Sequence, residues 1–119
     1  MLQKQPVALL IEDEPLIAID VEDELVSGGF AVFIAPSCKD AEQWLKTLIP
    51  DVVIVDIALR DGMPLEIIAA MNAANIPFIV HSADHPSVHE NTLFSKGVWV
   101  TKPAAHLMLL QTANHLLAG

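Results

Sequence analysis

The chain has 119 residues, a length that predicts one domain, spanning 1–119, with no room for a second core. Its 53% hydrophobic residues and mean hydropathy of +0.48 exclude an intrinsically disordered chain. The formal net charge of -9, with only 6 lysines and arginines and no basic patch, argues against a nucleic-acid partner.

Cysteine usage and the absence of targeting signals narrow the class further. Cys38 is the only cysteine, which excludes a disulfide framework and a thiolate metal cluster, and we expect it to be a packed small residue. No apolar run approaches the length of a membrane span, and no signal-peptide pattern opens the chain. We therefore expect a cytoplasmic protein with no membrane partner.

Apolar runs of strand length alternate with helical patterns along the chain. The apolar runs predict five buried strands, over 6–11, 30–35, 51–57, 76–83 and 98–103. The helical patterns predict a helix after each strand, over 15–29, 37–49, 65–75, 84–97 and 104–119. Strict alternation of this kind predicts a doubly wound α/β fold, in which helices cover both faces of a parallel sheet.

Several helix ends carry recognisable boundary residues. Pro15 stands at the first turn of the first helix, and Gly28 follows its last turn. Ser37 and Asp40 stand in a capping-box relation at the start of the second helix, and Pro50 should stop it.

Chemically useful side chains follow the strands of the predicted sheet. Glu12 and Asp13 come directly after the first strand, Asp56 lies at the end of the third, Ser82 at the end of the fourth and Lys102 at the end of the fifth. The carboxyl ends of parallel strands meet at one edge, where α/β proteins place their sites. We therefore expect three acids, a hydroxyl and an amine to converge.

Three neighbouring carboxylates predict a bound cation. Two carboxylates about 4 Å apart repel by about 4 kcal/mol at an effective dielectric near 20. Ligands that are all oxygen favour Mg²⁺ (or Mn²⁺) over zinc. Lys102 would then add a positive charge beside a phosphoryl group, Ser82 could donate to it, and Asp56 is the best-placed nucleophile. Each residue alone could be an ordinary loop acid, cap or surface lysine, and only the joint pattern points to a site.

Four segments in this order resemble the receiver domain of response regulators, of the single-domain, chemotaxis-regulator-like type. They are "LLIEDEP", "VIVDIALRDG", "IVHSA" and "VTKP", and the resemblance covers essentially the whole chain. It implies a flavodoxin-like sheet of five strands in the order 2-1-3-4-5. It also implies a signalling phosphoacceptor, which promotes its own phosphorylation and dephosphorylation, rather than an enzyme.

The resemblance assigns a role to each site residue. Asp56 would accept the phosphoryl group, and Glu12 and Asp13 would hold the metal together with Asp56 and the backbone carbonyl of Ala58. Ser82 would be the switch hydroxyl, and Lys102 would pair with the phosphoryl group. The Lys-Pro bond at 102–103 is typically cis in this family.

Two departures from the usual pattern affect this assignment. Glu12 stands where aspartate is commoner, so that its longer side chain could meet the metal through a water. Trp99 stands where the family usually has tyrosine or phenylalanine, the switch aromatic that moves inward, and it could instead be a core tryptophan. Ala58 and Asp84 resemble the variable positions that tune dephosphorylation, and the small Ala58 predicts a long-lived phosphoryl group.

The implied partners are a sensor histidine kinase or a histidine phosphotransfer protein, and a downstream protein. The resemblance favours the fourth helix, fifth strand and fifth helix as a surface for homodimerisation or partner binding, which fits the apolar excess of the last helix. Three alternatives remain: a pseudo-receiver regulated without phosphate, a receiver excised from a hybrid histidine kinase, and a small Mg²⁺-dependent phosphohydrolase. His81, His85 and His89 share no helical face, so we expect structural or solvated histidines.

Overall fold

The computed structural model describes residues 4–84, 93–105 and 107–118. A five-stranded parallel sheet has the order β2-β1-β3-β4-β5, which confirms the predicted doubly wound topology. Its strands are β1 (Val7–Ile11), β2 (Ala31–Ala35), β3 (Val52–Val55), β4 (Phe78–Ser82) and β5 (Val98–Thr101). Within the described residues four α-helices flank it, α1 (Pro15–Ser27), α2 (Cys38–Leu45), α3 (Leu65–Ala73) and α4 (Met108–Ala118).

Two apolar cores fill the two faces of the sheet. On one face, α2 and α3 cover the sheet with Ala41, Ile67 and Ile68. On the other face, α1 and α4 cover it with side chains that include Leu25 and Leu109. The central strand β3 is buried along its whole length, as its continuous apolar sequence predicts.

The register of the sheet brings the ends of its five strands to one edge. Ile11, the last residue of β1, is aligned with Ala35 of β2 and with Val55 of β3. On the far side of β3, Ser82 at the end of β4 is aligned with Thr101 at the end of β5. The residues that follow these ends are therefore neighbours in space, although they lie far apart in the chain.

The predicted boundaries of the first two helices are mostly confirmed. Pro15 opens α1, and Gly28 ends it. The Ser37 hydroxyl accepts the Asp40 backbone N–H at 3.1 Å and donates to the Asp40 carboxylate at 2.8 Å. The expectation that α2 continues to Pro50 is wrong, because α2 ends at Leu45.

The second half of the chain departs more from the predicted bounds. The last helix begins at Met108 rather than at residue 104. Of the predicted helix over 84–97, residues 85–92 lie outside the described part of the chain, and the described remainder contains a short 3₁₀ helix, Phe94–Lys96. The Lys102–Pro103 peptide bond is cis, as the resemblance implies. Every helix in the described ranges is too short or too polar to cross a bilayer.

Candidate functional site

Three carboxylates meet at the carboxyl edge of the sheet, as predicted. Glu12 and Asp13 follow β1, and Asp56 follows β3. Each of them offers an oxygen that lies within 4.8 Å of the other two. The set contains oxygen donors only, and these are the ligands that Mg²⁺ and Mn²⁺ prefer.

Lys102 lies directly against two of these acids. Its Nζ donates to Asp56 Oδ2 at 2.9 Å and lies 2.7 Å from Glu12 Oε1. All three side chains are largely buried, with exposed fractions of 1% for Glu12, 8% for Asp56 and 13% for Lys102. One ammonium group therefore contacts two buried carboxylates and offsets only one of their charges, and Asp13 adds a further negative charge beside them.

Backbone N–H groups of the adjoining loops hold all three carboxylates in place. The N–H of Glu14 donates to Glu12 Oε2 at 3.1 Å, and the N–H of Ala58 donates to Asp56 Oδ1 at 2.9 Å. The N–H of Arg60 donates to Asp13 Oδ2 at 3.1 Å. Since two of these donors are two residues from their acceptor, the short loops after β1 and β3 fix the carboxylates locally.

Burial and ion pairing change the titration of this cluster. Burial is the largest influence on Glu12 and raises its pKa, although the hydrogen bond from Lys102 partly opposes this. Burial also lowers the pKa of Lys102, but its contacts with Glu12 and Asp56 outweigh burial and leave that pKa above its ordinary value. Lys102 therefore stays protonated at neutral pH and remains a fixed positive charge in the site.

Ser82 and Trp99 are both connected to Asp84, in the segment after β4. The Ser82 hydroxyl, which is buried, accepts the Asp84 N–H at 3.1 Å. The Trp99 indole N–H donates to the Asp84 carbonyl at 3.0 Å, and its ring meets Phe94 edge-to-face with centroids 6.5 Å apart. The hydroxyl and the aromatic residue therefore share one connecting segment.

Residues 8–114 match the family model described as the response regulator receiver domain. The chain belongs to this family. PhoP of Escherichia coli K12, a transcriptional regulatory protein, is 30% identical over 99 residues, which are 80% of this chain and 44% of PhoP. This receiver domain thus spans less than half the length of the curated relatives that it matches.

Solved structures agree with this assignment at the level of the fold. The receiver domain of the Francisella response regulator 1452 is 23% identical, with a TM-score of 0.81 over 95% of this chain and 97% of that one. TrrA of Thermotoga maritima, solved in complex with Mg²⁺-BeF, is 21% identical, with a TM-score of 0.82 over 94% of this chain and 99% of that one.

His81 is buried, one of the two states expected for it, but the sequence did not indicate that its ring lacks hydrogen-bond partners among the described residues. This residue ends the apolar part of β4 and is 4% exposed, and neither ring nitrogen has a hydrogen-bond partner within the described structure. Burial lowers the pKa of His81 to about 4, and the nearby Lys102 charge contributes to that shift. The only signal in the sequence was a histidine inside a strand that is otherwise apolar. His85 and His89 lie outside the described residues.

Sequence reasoning also missed how Asp61 is used. Its carboxylate accepts the backbone N–H groups of Cys38 at 3.0 Å and Lys39 at 3.2 Å, and so caps α2 from the loop after β3. These bonds, the one from Cys38 first, lower the pKa of Asp61. Burial and the Asp61 charge raise the pKa of Cys38 to about 11, which keeps the thiol protonated and favours the packing role expected for it.

Proposed function

We propose that this receiver domain is the phosphoacceptor switch of a two-component phosphorelay. Asp56 takes a phosphoryl group from the phosphohistidine of a sensor histidine kinase or of a histidine phosphotransfer protein, with Mg²⁺ (or Mn²⁺) as cofactor. The observation that carries the proposal is Lys102 Nζ at 2.9 Å from Asp56 and 2.7 Å from Glu12, with Asp13 beside them. Three carboxylates and one ammonium group thereby lie close together, which supports the roles proposed for them.

The donor set fits a divalent cation of the magnesium type. Glu12, Asp13 and Asp56 supply carboxylate oxygens, and the Ala58 carbonyl is the further ligand that the family implies. Lys102 alone leaves these three carboxylates with a net negative charge, which a divalent ion would relieve. When bound, Mg²⁺ would neutralise charge on the transferring phosphoryl oxygens.

The chain's own residues perform the transfer. An Asp56 carboxylate oxygen attacks the phosphorus, the bond from phosphorus to the donor imidazole breaks, and its electron pair returns to that imidazole. The product is an acyl phosphate on Asp56. Lys102 holds positive charge where the phosphoryl oxygens gain negative charge, and the Ala58 N–H at 2.9 Å orients the Asp56 carboxylate.

The output is a change in a protein-binding surface. In this proposal Ser82 donates its hydroxyl hydrogen to the phosphoryl group and pulls on the Asp84 segment, whose carbonyl accepts the Trp99 indole N–H. Trp99 then changes position, and the surface formed by β5 and α4 changes its affinity for a downstream protein or for a second copy.

Incubation with Mg²⁺ and either acetyl phosphate, a phosphodonor, or beryllofluoride, which mimics a phosphoryl group without transferring one, tests the proposal. Wild-type protein should gain one phosphoryl mass with acetyl phosphate, and Asp56→Asn should gain none. Asp51→Asn is the matched control, because Asp51 is an exposed acid near the opposite end of β3. A Trp44→Phe background leaves Trp99 as the only tryptophan, so that a fluorescence change reports on the proposed switch residue.

The same experiment separates the rival functions. A stable adduct on Asp56 that requires Mg²⁺ supports the phosphoacceptor. If wild type forms no adduct and shows no dependence on metal, the chain is a pseudo-receiver and the proposal fails. Continuous release of phosphate from many turnovers of a small phosphate ester would instead identify a phosphohydrolase.

A further inference from the structure

Apart from the carboxylate site, a cavity opens between α1 and α4, and Lys102 lies between the two. It has a volume of about 460 Å³, within the range of small-molecule sites. Its apolar wall includes Ile17, Val21 and Leu109. The Lys102 side chain also lines the cavity, while its ammonium group bonds to Glu12 and Asp56 in the site described above.

His81 lies in the lining of this cavity and is the unexplained feature of the core. Both of its ring nitrogens are buried without a hydrogen-bond partner in the described structure. A buried polar group without a partner destabilises the folded state relative to a satisfied one. A hydrophobic side chain would fill the same position in β4 without that cost. An imidazole at this position therefore suggests a binding role.

The charges around the cavity favour a positively charged guest. Asp20 and Glu24 are the acids in its lining, and Asp23 belongs to an adjoining cleft that shares both of them. Glu24 uses Oε2 to accept the Leu110 N–H at 2.7 Å, and Asp20 is exposed to solvent. Because the Lys102 ammonium is held by other carboxylates, the net charge that a guest meets is negative.

We propose that this cavity binds a small amphipathic organic cation, a primary amine joined through an apolar body to a hydroxyl group. The ammonium pairs with the acidic rim at Asp20, and the apolar body contacts Val21 and Leu109. The hydroxyl reaches the His81 imidazole, which can both donate and accept when neutral. The second torsion of a histidine side chain is broad, so a ring rotation presents a nitrogen to the guest.

Tyramine is a suitable probe, because a phenol hydroxyl and an ammonium stand at opposite ends of an apolar ring and chain. Phenethylamine lacks the hydroxyl, and 3-(4-hydroxyphenyl)propionate replaces the ammonium with a carboxylate. We expect tyramine to bind with a Kd on the order of 1 mM, ordinary for a ligand this small. Backbone amide shifts in NMR spectra should move at Asp20, His81 and Leu109, with phenethylamine weaker and the anion without effect.

Two variants assign the contacts separately. His81→Leu should weaken tyramine about tenfold, the equivalent of one lost hydrogen bond, and leave phenethylamine unchanged. Asp20→Asn should weaken both amines, while Glu66→Gln, an exposed acid on α3, should weaken neither.

Three results would overturn the proposal. These are no saturable shift with tyramine, equal binding of the anion, and equal loss of tyramine and phenethylamine affinity in His81→Leu. The titrations use no phosphodonor, so they do not depend on whether Asp56 is phosphorylated.

Discussion

Replacing His81 with leucine should stabilise the protein and remove part of its dependence on pH. In the wild type the imidazole is 4% exposed and unpartnered in the described structure, so the folded state carries an uncompensated polar group. Leucine removes that cost and keeps an apolar contact with the α1 and α4 side of the sheet. We expect a gain of about 1 kcal/mol or more at pH 7, where the histidine is neutral in both states.

The dependence on pH follows from the lowered pKa of His81. Its pKa is about 4 in the folded state against an ordinary value of 6.5, so the unfolded chain binds more protons between these values. Stability is therefore fully present above pH 6.5 and is lost as the pH falls towards 4. Linkage gives a loss of about 2 kcal/mol between pH 7 and pH 5 for this one group. Other titrating groups add their own dependence, which the variant shares.

Urea unfolding at pH 7 and pH 5, in EDTA and followed by tryptophan fluorescence, measures both effects. The free-energy difference between His81→Leu and wild type should grow by about 2 kcal/mol from pH 7 to pH 5. His115→Leu, on the exposed side of α4, is the matched control and should leave that pH dependence in place. An equal change with pH in wild type and His81→Leu would refute the reasoning.

Three further outcomes can be measured on the same protein. Added Mg²⁺ at about ten times its Kd should raise the free energy of unfolding by about 1.4 kcal/mol. Asp13→Asn should reduce this gain more than Glu12→Gln does. Thermal unfolding with and without EDTA measures both effects. Gly97→Ala should destabilise the fold by about 1–3 kcal/mol in urea unfolding, because a Cβ there would overlap the Phe78 ring, and unchanged stability would contradict this packing. Ser37→Ala should cost about 1 kcal/mol by the same assay through loss of the α2 cap, and Ser37→Asp should retain most of it.

The fold was predictable because local sequence and tertiary packing agree along most of the chain. Strand β3 is apolar at every position and is buried on both faces, as a central parallel strand must be. Pro15, Gly28 and Ser37 act at the helix ends where their backbone chemistry places them. The convergence of Glu12, Asp56 and Lys102 then follows from the topology, since each comes directly after a strand of one parallel sheet.

The failures have a common physical origin in contacts between distant segments. The helical pattern continues to Ile49, but α2 ends at Leu45. Because Ile49 is 84% exposed, an extra helical turn would not be stabilised by packing. Asp61 caps α2 across more than twenty residues of chain, which no local capping rule detects. Whether His81 finds a hydrogen-bond partner depends on the side chains of α1 and α4 that pack against that face of the sheet. The sequence of β4 does not contain this information.

The position of Lys102 explains why the two acids of the 12–13 pair should differ in use. Glu12 is nearly fully buried, and its two oxygens are engaged by Lys102 and by the Glu14 N–H. The Asp13 side chain is 14% exposed and lies on the outer side of the cluster. Its Oδ2 atom is 3.8 Å from Nε of Arg60, whose side chain is exposed. We therefore expect a cation that approaches from solvent to meet Asp13 first. The longer glutamate reaches inward to Lys102 instead, so we expect it to position the ammonium beside Asp56 and to contact a bound metal ion less directly than Asp13 would.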